Sequence, residues 1–276
     1  MILIIGRTGS GKDYLARLLA KKGFSVLKSY TTRPKRSEDE DTHIFITPEE
    51  SAAITDKVAT TVINGYEYFA TAEQVKNNDV YIIDPIGMDE LTKNMPDEIF
   101  EVVYVSADRE ERKLNAVRRV ATDKKIKEEK IFNARSASED EQFSDFEDKL
   151  AAFREKLPTF PKNVVSVMEY SNHFQPEESE NCAHMIAVRT TTQTVIKKLA
   201  EDAAGLGIFT TDNEHKGLIE TVNDGERHFL PPDIISVMLL SRPSEFINFI
   251  VQYICCSPRF KDLMQDTHIK NPFDDN

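Results

Sequence analysis

Short apolar runs alternate with amphipathic segments through the N-terminal part of the chain. Ile2 to Ile5 form a continuous apolar run, which is typical of a strand buried on both faces of a parallel sheet. Apolar residues at helical spacing follow it, namely Tyr14, Leu15, Leu18 and Leu19. Further apolar runs occur at Phe24–Leu27, Val80–Ile83, Phe100–Val105 and Val164–Met168. This pattern predicts an α/β fold in which helices flank a parallel sheet.

A polar segment separates this pattern from the rest of the chain. His173 to Asn181 contains a proline and three glutamates, as expected of a linker between residues 1–175 and residues 182–276. Beyond it we expect a mostly helical C-terminal region, with a loop or small hairpin over 208–228. The expected helices are Thr190–Ala204, Pro232–Leu240, Pro243–Cys255 and Pro258–Gln265. Their apolar faces fit either an appendage packed on the N-terminal region or an interface, between copies of the chain or with a protein partner.

The charge balance of the chain is acidic. The 35 Lys and Arg residues against 47 Asp and Glu residues give a net charge of −12. Proteins that coat nucleic acid or lie on anionic membranes are usually basic because phosphate binding is largely electrostatic, so neither partner is expected. The three cysteines lack the spacing of a disulfide framework or a zinc site, and no run reaches the roughly 20 apolar residues of a membrane span. We expect a soluble, cytoplasmic protein.

A glycine-rich segment follows the first predicted strand and opens the first predicted helix. Its sequence, Gly6-Arg7-Thr8-Gly9-Ser10-Gly11-Lys12, fits the phosphate-binding pattern G-x-x-x-x-G-K in the required strand–loop–helix context. In this pattern, backbone N–H groups surround a β-phosphate and the lysine reaches the β- and γ-phosphates. We therefore expect the loop to bind ATP and Lys12 to be catalytic as well. The ATP-binding residues would be Gly6, Thr8, Gly9, Ser10, Gly11, Lys12 and Asp13. The alternative is a glycine-rich turn with a chance lysine.

Asp13 stands where this pattern usually has a Ser or Thr whose hydroxyl binds Mg²⁺. A carboxylate is itself an oxygen ligand for Mg²⁺, directly or through water. The Gly-Lys-Asp sequence also resembles the loop of bacteriophage deoxynucleoside monophosphate kinases and of some other small-molecule kinases. The alternative is that Asp13 only adds favourable negative charge to the first turn of the helix.

The segment from Ser29 to Arg36 concentrates hydroxyl groups and two guanidinium groups just after an apolar run. Arginine forks bind phosphate through paired hydrogen bonds, and hydroxyl groups complete such a site. The pattern Ser-x-Thr-Thr-Arg-x-x-Arg after a phosphate loop resembles guanylate kinase, and this resemblance covers about residues 1–172. It implies that Ser29, Arg33 and Arg36 bind the phosphate of an acceptor nucleotide. The alternative is a chance surface loop.

The segment from Gly65 to Thr71 is similar to the aromatic segment of the same family. The resemblance implies substrate contacts from Thr71 and from either Tyr68 or Phe69, because the register is ambiguous by one residue. It also places His43 where the family has a phosphate-binding tyrosine. Ala59 stands where the family has a glutamate that reads guanine, so the acceptor base is open between guanine and a broader range of deoxynucleotides.

Asp84 follows the apolar run Val80–Ile83, at the sheet edge where open α/β proteins bind ligands. The resemblance matches it to an aspartate of guanylate kinase. This match implies that Asp84 orders Mg²⁺-bound water or contacts the acceptor base. The alternative is an aspartate that ends the strand as a turn former.

Basic residues accumulate between Arg109 and Arg135, where ten Lys or Arg face five acids, a local balance of +5. Arginines on a mobile lid stabilise the charged transition state of phosphoryl transfer. The segment Glu128-x-x-Ile131-x-x-x-Arg135 resembles the helix of nucleoside monophosphate kinases that supplies one such arginine. Arg135, with Arg118 or Arg119 from the other side of the lid, is therefore implied as catalytic. The alternative is a solvated helical face, and the acidic residues from Glu139 to Asp148 are expected to solvate or dock the lid arginines.

These features together indicate a P-loop nucleoside or deoxynucleoside monophosphate kinase. It would transfer the γ-phosphate of ATP, with Mg²⁺, to a GMP-like, dGMP-like or broader monophosphate acceptor. The rival interpretation is a catalytically inactive guanylate-kinase-like module that binds a protein, and Asp13, His43 and Ala59 motivate it.

Overall fold

The computed structural model describes residues 1–21, 23–118, 120, 124–154 and 159–171, and beyond them the strands of residues 182–188, 208–210, 219–223, 226–230 and 235–241. The helices are α1 (Lys12–Lys21), α2 (Pro48–Ala53), α3 (Ala72–Asn77), α4 (Pro85–Asn94), α5 (Arg109–Arg118) and α6 (Lys125–Arg154). The strands are β1 (Ile2–Ile5), β2 (Tyr30–Thr31), β3 (Ile44–Phe45), β4 (Lys57–Ile63), β5 (Tyr66–Thr71), β6 (Val80–Ile82), β7 (Phe100–Ser106), β8 (Val164–Ser171), β9 (Cys182–Val188), β10 (Ile208–Thr210), β11 (Ile219–Asn223), β12 (Glu226–Leu230) and β13 (Ile235–Ser241).

The main sheet has the strand order β13-β9-β8-β7-β1-β6. Its neighbouring strands β6, β1, β7 and β8 run parallel, as the sequence pattern predicts. Every residue of β1 is fully buried, which explains its uninterrupted apolar sequence. The α/β prediction, a P-loop NTPase-like parallel sheet flanked by helices, is confirmed. Parallel strands carry their following loops to one edge, and there the glycine-rich loop follows β1.

A second sheet, of order β3-β2-β5-β4, carries the segment that begins at Ser29. Strands β4 and β5 form a hairpin whose turn is Asn64-Gly65, with φ angles of 52° and 78°. Asn and Gly adopt positive φ at the lowest cost, so this dipeptide fixes the turn. The pairing of Thr31 with Tyr68 then places the hydroxyl-rich segment beside the aromatic segment.

Helix α6 is thirty residues long and connects the basic segment to the core. Three of its buried phenylalanines, Phe143, Phe146 and Phe153, pack against Tyr104 of β7 or Phe160 of the segment before β8. A fourth, Phe132, is buried beside Arg112 of α5. This burial fixes the position of the polar residues on the same helix. Within the described part of the chain, no helix is both long and apolar enough to cross a membrane.

The described residues after 181 all lie in strands, which changes the expectation for the C-terminal region. The helix expected over Pro232–Leu240 is wrong, because Ile235–Ser241 forms β13 and pairs antiparallel with β9. A short apolar run does not distinguish a strand from a buried helix by periodicity, and here a neighbouring strand supplies its hydrogen-bond partners. The small hairpin expected within 208–228 is confirmed by the antiparallel pairing of β11 and β12. The helices expected at 190–204, 243–255 and 258–265 lie outside the described residues.

The linker expected at 173–181 also lies outside the described residues. Strand β9 pairs antiparallel with β8, so residues 182–188 extend the main sheet. The division of the chain at about residue 175, and an oligomer or partner interface beyond it, stay predictions.

Candidate functional site

The glycine-rich loop lies against the end of β7 and the first turns of α5. Gly9 has a φ of +84°, and a Cβ on it would lie 2.3 Å from the carbonyl oxygen of Arg112. A Cβ on Gly6 would lie 2.7 Å from the carbonyl oxygen of Val105. Because both distances are too short for a real Cβ, only glycine lets the loop backbone approach its neighbours this closely. The side-chain amide of Asn115 also donates to the Gly9 carbonyl oxygen at 3.1 Å.

Carboxylates of α6 contact this loop. The backbone N–H of Thr8 donates to both oxygens of Glu139, at 3.0 and 3.2 Å, and the Thr8 hydroxyl donates to the same carboxylate at 2.5 Å. The Arg7 guanidinium donates to Glu147 through two nitrogens, each at 3.2 Å, and to Asp140 at 2.8 Å. The expectation that this acidic cluster solvates or docks the lid arginines is therefore wrong for these three carboxylates, which bind the phosphate loop instead.

Arg33 is held by oxygen atoms on several sides. Its Nε donates to the Tyr68 hydroxyl at 3.1 Å, and its terminal nitrogens donate to Glu40 at 2.7 and 3.2 Å. Both side chains of the Arg33–Glu40 pair are about nine-tenths buried, so this charge-assisted fork fixes the guanidinium in one orientation. The sequence pattern does not single out Glu40; its only signal is the acidic run that follows the two arginines.

Arg36 and Arg135 approach the same point from different elements, the loop after β2 and helix α6. Partial burial, and then the charges of Arg135 and Arg33, lower the pKa of Arg36. Among the described residues, neither the Arg36 nor the Arg135 guanidinium makes a hydrogen bond or an ion pair. The nearby Glu40 carboxylate is already paired with Arg33, and the guanidinium groups repel each other, so this part of the site favours a further anion.

Ser29 and His43 place two further polar groups beside Arg33. The Ser29 Oγ and the His43 Nδ1 are 3.0 Å apart. The imidazole ring packs edge-on against Tyr68, with ring centroids 5.5 Å apart. Burial, and then the charge of Arg33, lower the pKa of His43, so the ring is neutral at neutral pH. A neutral imidazole and a hydroxyl can both donate to a phosphate oxygen.

Asp84 lies just after β6 and serves as the N-cap of α4. Its Oδ1 accepts from the Gly87 backbone N–H at 2.9 Å and from the Thr61 hydroxyl at 3.1 Å. Burial raises the pKa of Asp84. The two interpretations of this residue are compatible, because the carboxylate that caps the helix also lines the cavity described next.

One cavity of about 880 Å³ unites most of the predicted site. Its volume lies in the usual range for a ligand pocket. The predicted residues that line it are Gly6, Thr8, Lys12, Ser29, Arg33, Arg36, His43, Tyr68, Asp84 and Arg135. Ala59 and Thr61 also line this cavity, and the Thr61 hydroxyl donates to Asp84.

Other predicted site residues do not line this cavity. Phe69 is fully buried and stacks on Tyr30, so Tyr68 supplies the aromatic hydroxyl of its segment. Thr71 is buried and caps α3 through a reciprocal pair of hydrogen bonds with Gln74. The remaining loop residues, Gly9, Ser10, Gly11 and Asp13, are also absent from the lining. Arg119 lies outside the described residues.

The carboxylates expected to serve Mg²⁺ are few. Among the residues that the structure describes, no three His, Cys, Asp or Glu side chains are grouped closely enough to hold a metal ion by themselves. Mg²⁺ in nucleotide sites takes most of its ligands from phosphates and water and only one or two carboxylates from the protein. Asp13, which is exposed in the first turn of α1, and Asp84, which lines the cavity, stay predictions for this limited role.

The Arg33–Glu40 pair makes a testable contribution to stability. The hydrogen bond from Arg33 lowers the pKa of Glu40 from its ordinary 4.5 to about 2. Since this folded-state pKa is depressed, the stabilisation is present above about pH 4.5 and is lost as pH falls towards 2. We expect Glu40→Gln to lower the free energy of unfolding by about 2 kcal/mol at pH 7, and by progressively less below pH 4.5.

Urea unfolding at a series of pH values measures this difference. The matched control is Glu38→Gln, which removes an exposed carboxylate from the same acidic run and should leave the stability nearly unchanged. A stability gap that is as wide at pH 3 as at pH 7 would contradict the assignment of the pair.

Comparisons with known proteins bear on the same region. A family model described as an AAA domain matches residues 2–144, slightly more than half of the chain. Among solved structures, the chain is similar to guanylate kinase from Anaplasma phagocytophilum, with 16% sequence identity and a TM-score of 0.36. This match covers 50% of the chain and 72% of the matched structure. Curated proteins give no match. The family match begins at β1 and extends into α6, so it includes the glycine-rich loop and the three arginines of the cavity.

Proposed function

The chain belongs to the AAA domain family, and we propose that it is an ATP-dependent kinase of nucleoside or deoxynucleoside monophosphates. The observation that carries this proposal is the presence, in one cavity, of a phosphate loop and a separate cluster of three arginines. A phosphate loop alone indicates one phosphate-bearing ligand. A second anion site on the same cavity indicates another, so transfer between two phosphates fits better than hydrolysis of one nucleotide.

The donor site is built from the loop, the N-terminus of α1 and Lys12. Lys12 is the first residue of α1 and lies where the helix dipole and loop amides already favour negative charge. We assign it to the β- and γ-phosphates of ATP. Mg²⁺ bound to those phosphates would neutralise charge, with Asp13 and Asp84 as the protein carboxylates that hold it directly or through water.

The acceptor site is built from the second sheet and α6. The Arg36 and Arg135 guanidinium groups make no hydrogen bond or ion pair among the described residues, so a monophosphate would supply their missing partner. Arg33, oriented by Glu40, and the Ser29, His43 and Tyr68 groups complete this subsite. The base would lie towards Asp84 and Thr61. Ala59 offers no hydrogen-bonding side chain to select guanine, which supports a range of acceptor bases broader than that of GMP and dGMP.

The chemistry asked of these residues is positioning and charge stabilisation. An oxygen of the acceptor monophosphate attacks the γ-phosphorus, the bond to the bridging β–γ oxygen breaks, and ADP and a nucleoside diphosphate form. Arginines placed around the transferred group stabilise its charge without moving a proton. Arg135 lines the cavity for this role, and Arg119 is proposed to join it from the other side of the lid.

An ADP-release assay tests the proposal. ATP and Mg²⁺ would be supplied with GMP, dGMP, dTMP, dCMP, dAMP, AMP and UMP in turn, with Arg36→Ala measured in parallel. We expect one or a few monophosphates to give turnover on the order of 1–100 per second, lost in the variant. Nucleotide binding without turnover of any monophosphate would contradict the kinase and favour the protein-binding module.

A further inference from the structure

A carboxylate of the protein itself occupies hydrogen-bond donors of the phosphate loop. Glu139 accepts the backbone N–H of Thr8 at 3.0 and 3.2 Å and the Thr8 hydroxyl at 2.5 Å. Thr8 and Glu139 are 131 positions apart in sequence, so the contact joins α6 to the loop. Loop N–H groups of this kind are donors for anions. The Glu139 carboxylate thus already occupies N–H and hydroxyl groups that would bind the phosphates of ATP.

The same face of α6 holds the loop at additional points. The Arg7 guanidinium binds Asp140 and Glu147 and lies over the ring of Phe143, 5.0 Å from its centroid. Residues 139, 140, 143 and 147 follow the three- and four-residue spacing of one helical face. The glutamate is therefore held against the loop by the docking of the helix, and its position does not depend on one exposed side chain.

A donor phosphate and Glu139 compete for the same position. Two negative groups within hydrogen-bond distance of one N–H repel each other strongly in a partly enclosed site. The Thr8 N–H and hydroxyl also cannot donate hydrogen bonds to the Glu139 carboxylate and to a phosphate at the same time. The Glu139 carboxylate must therefore leave Thr8 when phosphate oxygens bind there.

We propose that Glu139 is an internal competitor for the phosphate loop, which the donor phosphates displace from Thr8. This inference rests on the proposed function, since it assigns the loop to a donor nucleotide. Arg135 lies one helical turn before Glu139 and lines the acceptor cavity.

Calorimetric binding of inorganic pyrophosphate to the full chain tests this inference without requiring turnover. We expect Glu139→Gln and Glu139→Ala to bind pyrophosphate about tenfold more tightly than the unaltered protein, because a charge-assisted contact no longer has to be broken. Asp148→Asn is the matched control: it removes one negative charge from an exposed position on the same helix and should change the affinity less than twofold.

The outcomes separate the two proposals. Unchanged or weaker pyrophosphate binding in both Glu139 variants overturns the internal competitor, as does an equal gain in Asp148→Asn, which would reflect net charge alone. Absence of binding in all four proteins also overturns it. Tighter binding in the Glu139 variants, together with no turnover of any monophosphate, would retain the competitor and reject the kinase.

Discussion

Replacement of Lys12 by Ala is expected to lower the turnover number for ATP by about 10²–10³-fold, the usual effect of removing one preorganised charge from a transition state. Lys12 Nζ makes a single long hydrogen bond, 3.5 Å to the Arg7 carbonyl oxygen, and no ion pair among the described residues. Its charge is thus available to a ligand. Because the side chain makes few contacts with the rest of the fold, the free energy of unfolding of the variant should differ from that of the unaltered protein by only a few tenths of a kcal/mol.

Initial rates of ADP release and urea unfolding curves measure the two quantities. Lys21→Ala is the matched control, since Lys21 is an exposed lysine at the other end of the same helix. Retained turnover in Lys12→Ala would contradict the assignment of the glycine-rich loop to the phosphates of ATP. A loss of turnover accompanied by equal loss in Lys21→Ala would mean that α1 charge in general, and not the loop lysine, is responsible.

The arginines of the acceptor site are expected to separate function from stability. Arg36→Ala should lower kcat/KM for the acceptor by about 10²–10³-fold, as expected when a charged phosphate ligand is lost. It should not reduce the free energy of unfolding, because burial and then the charges of Arg135 and Arg33 lower the pKa of Arg36, and its removal relieves both the desolvation and the repulsion. Arg135→Ala should behave in the same way.

Arg33→Ala should instead lower both kcat/KM for the acceptor and the free energy of unfolding. Removing this guanidinium leaves Glu40 buried without its partner, which costs about 3 kcal/mol or more of stability. Arg17→Ala, an exposed arginine on α1, is the control that should change neither. If Arg36→Ala destabilised the protein as much as Arg33→Ala, the claim that the Arg36 guanidinium has no partner in the fold would be wrong. The assignment of an acceptor phosphate to it would then lose its basis.

Local sequence patterns predict those parts of the site whose residues lie close together in the sequence. A buried strand, a glycine loop and an amphipathic helix follow one another directly, so residues 2–21 suffice to predict the phosphate loop. Ser29, Arg33 and Arg36 lie on one short segment for the same reason. Their convergence with Arg135 is predicted only through the resemblance, because Arg135 lies 99 positions after Arg36 in the sequence.

The contacts that the sequence did not predict are pairings between distant or interchangeable groups. Glu40 and Glu139 both lie in acidic runs, and no local rule distinguishes the one carboxylate that meets an arginine or a loop amide from its neighbours. The choice between Tyr68 and Phe69 depends on strand register, since a shift of one residue exchanges the two faces of a strand. The strand at Ile235–Ser241 likewise depends on its pairing with β9.

The most direct test of the central claim follows the transferred phosphate itself. ATP labelled with ³²P at the γ-position would be incubated with the protein, Mg²⁺ and each monophosphate, and the products separated by chromatography. The account predicts that the label appears in the β-phosphate of a nucleoside diphosphate in equal amount to the ADP formed. Label recovered only as inorganic phosphate, or only in unreacted ATP, would contradict it.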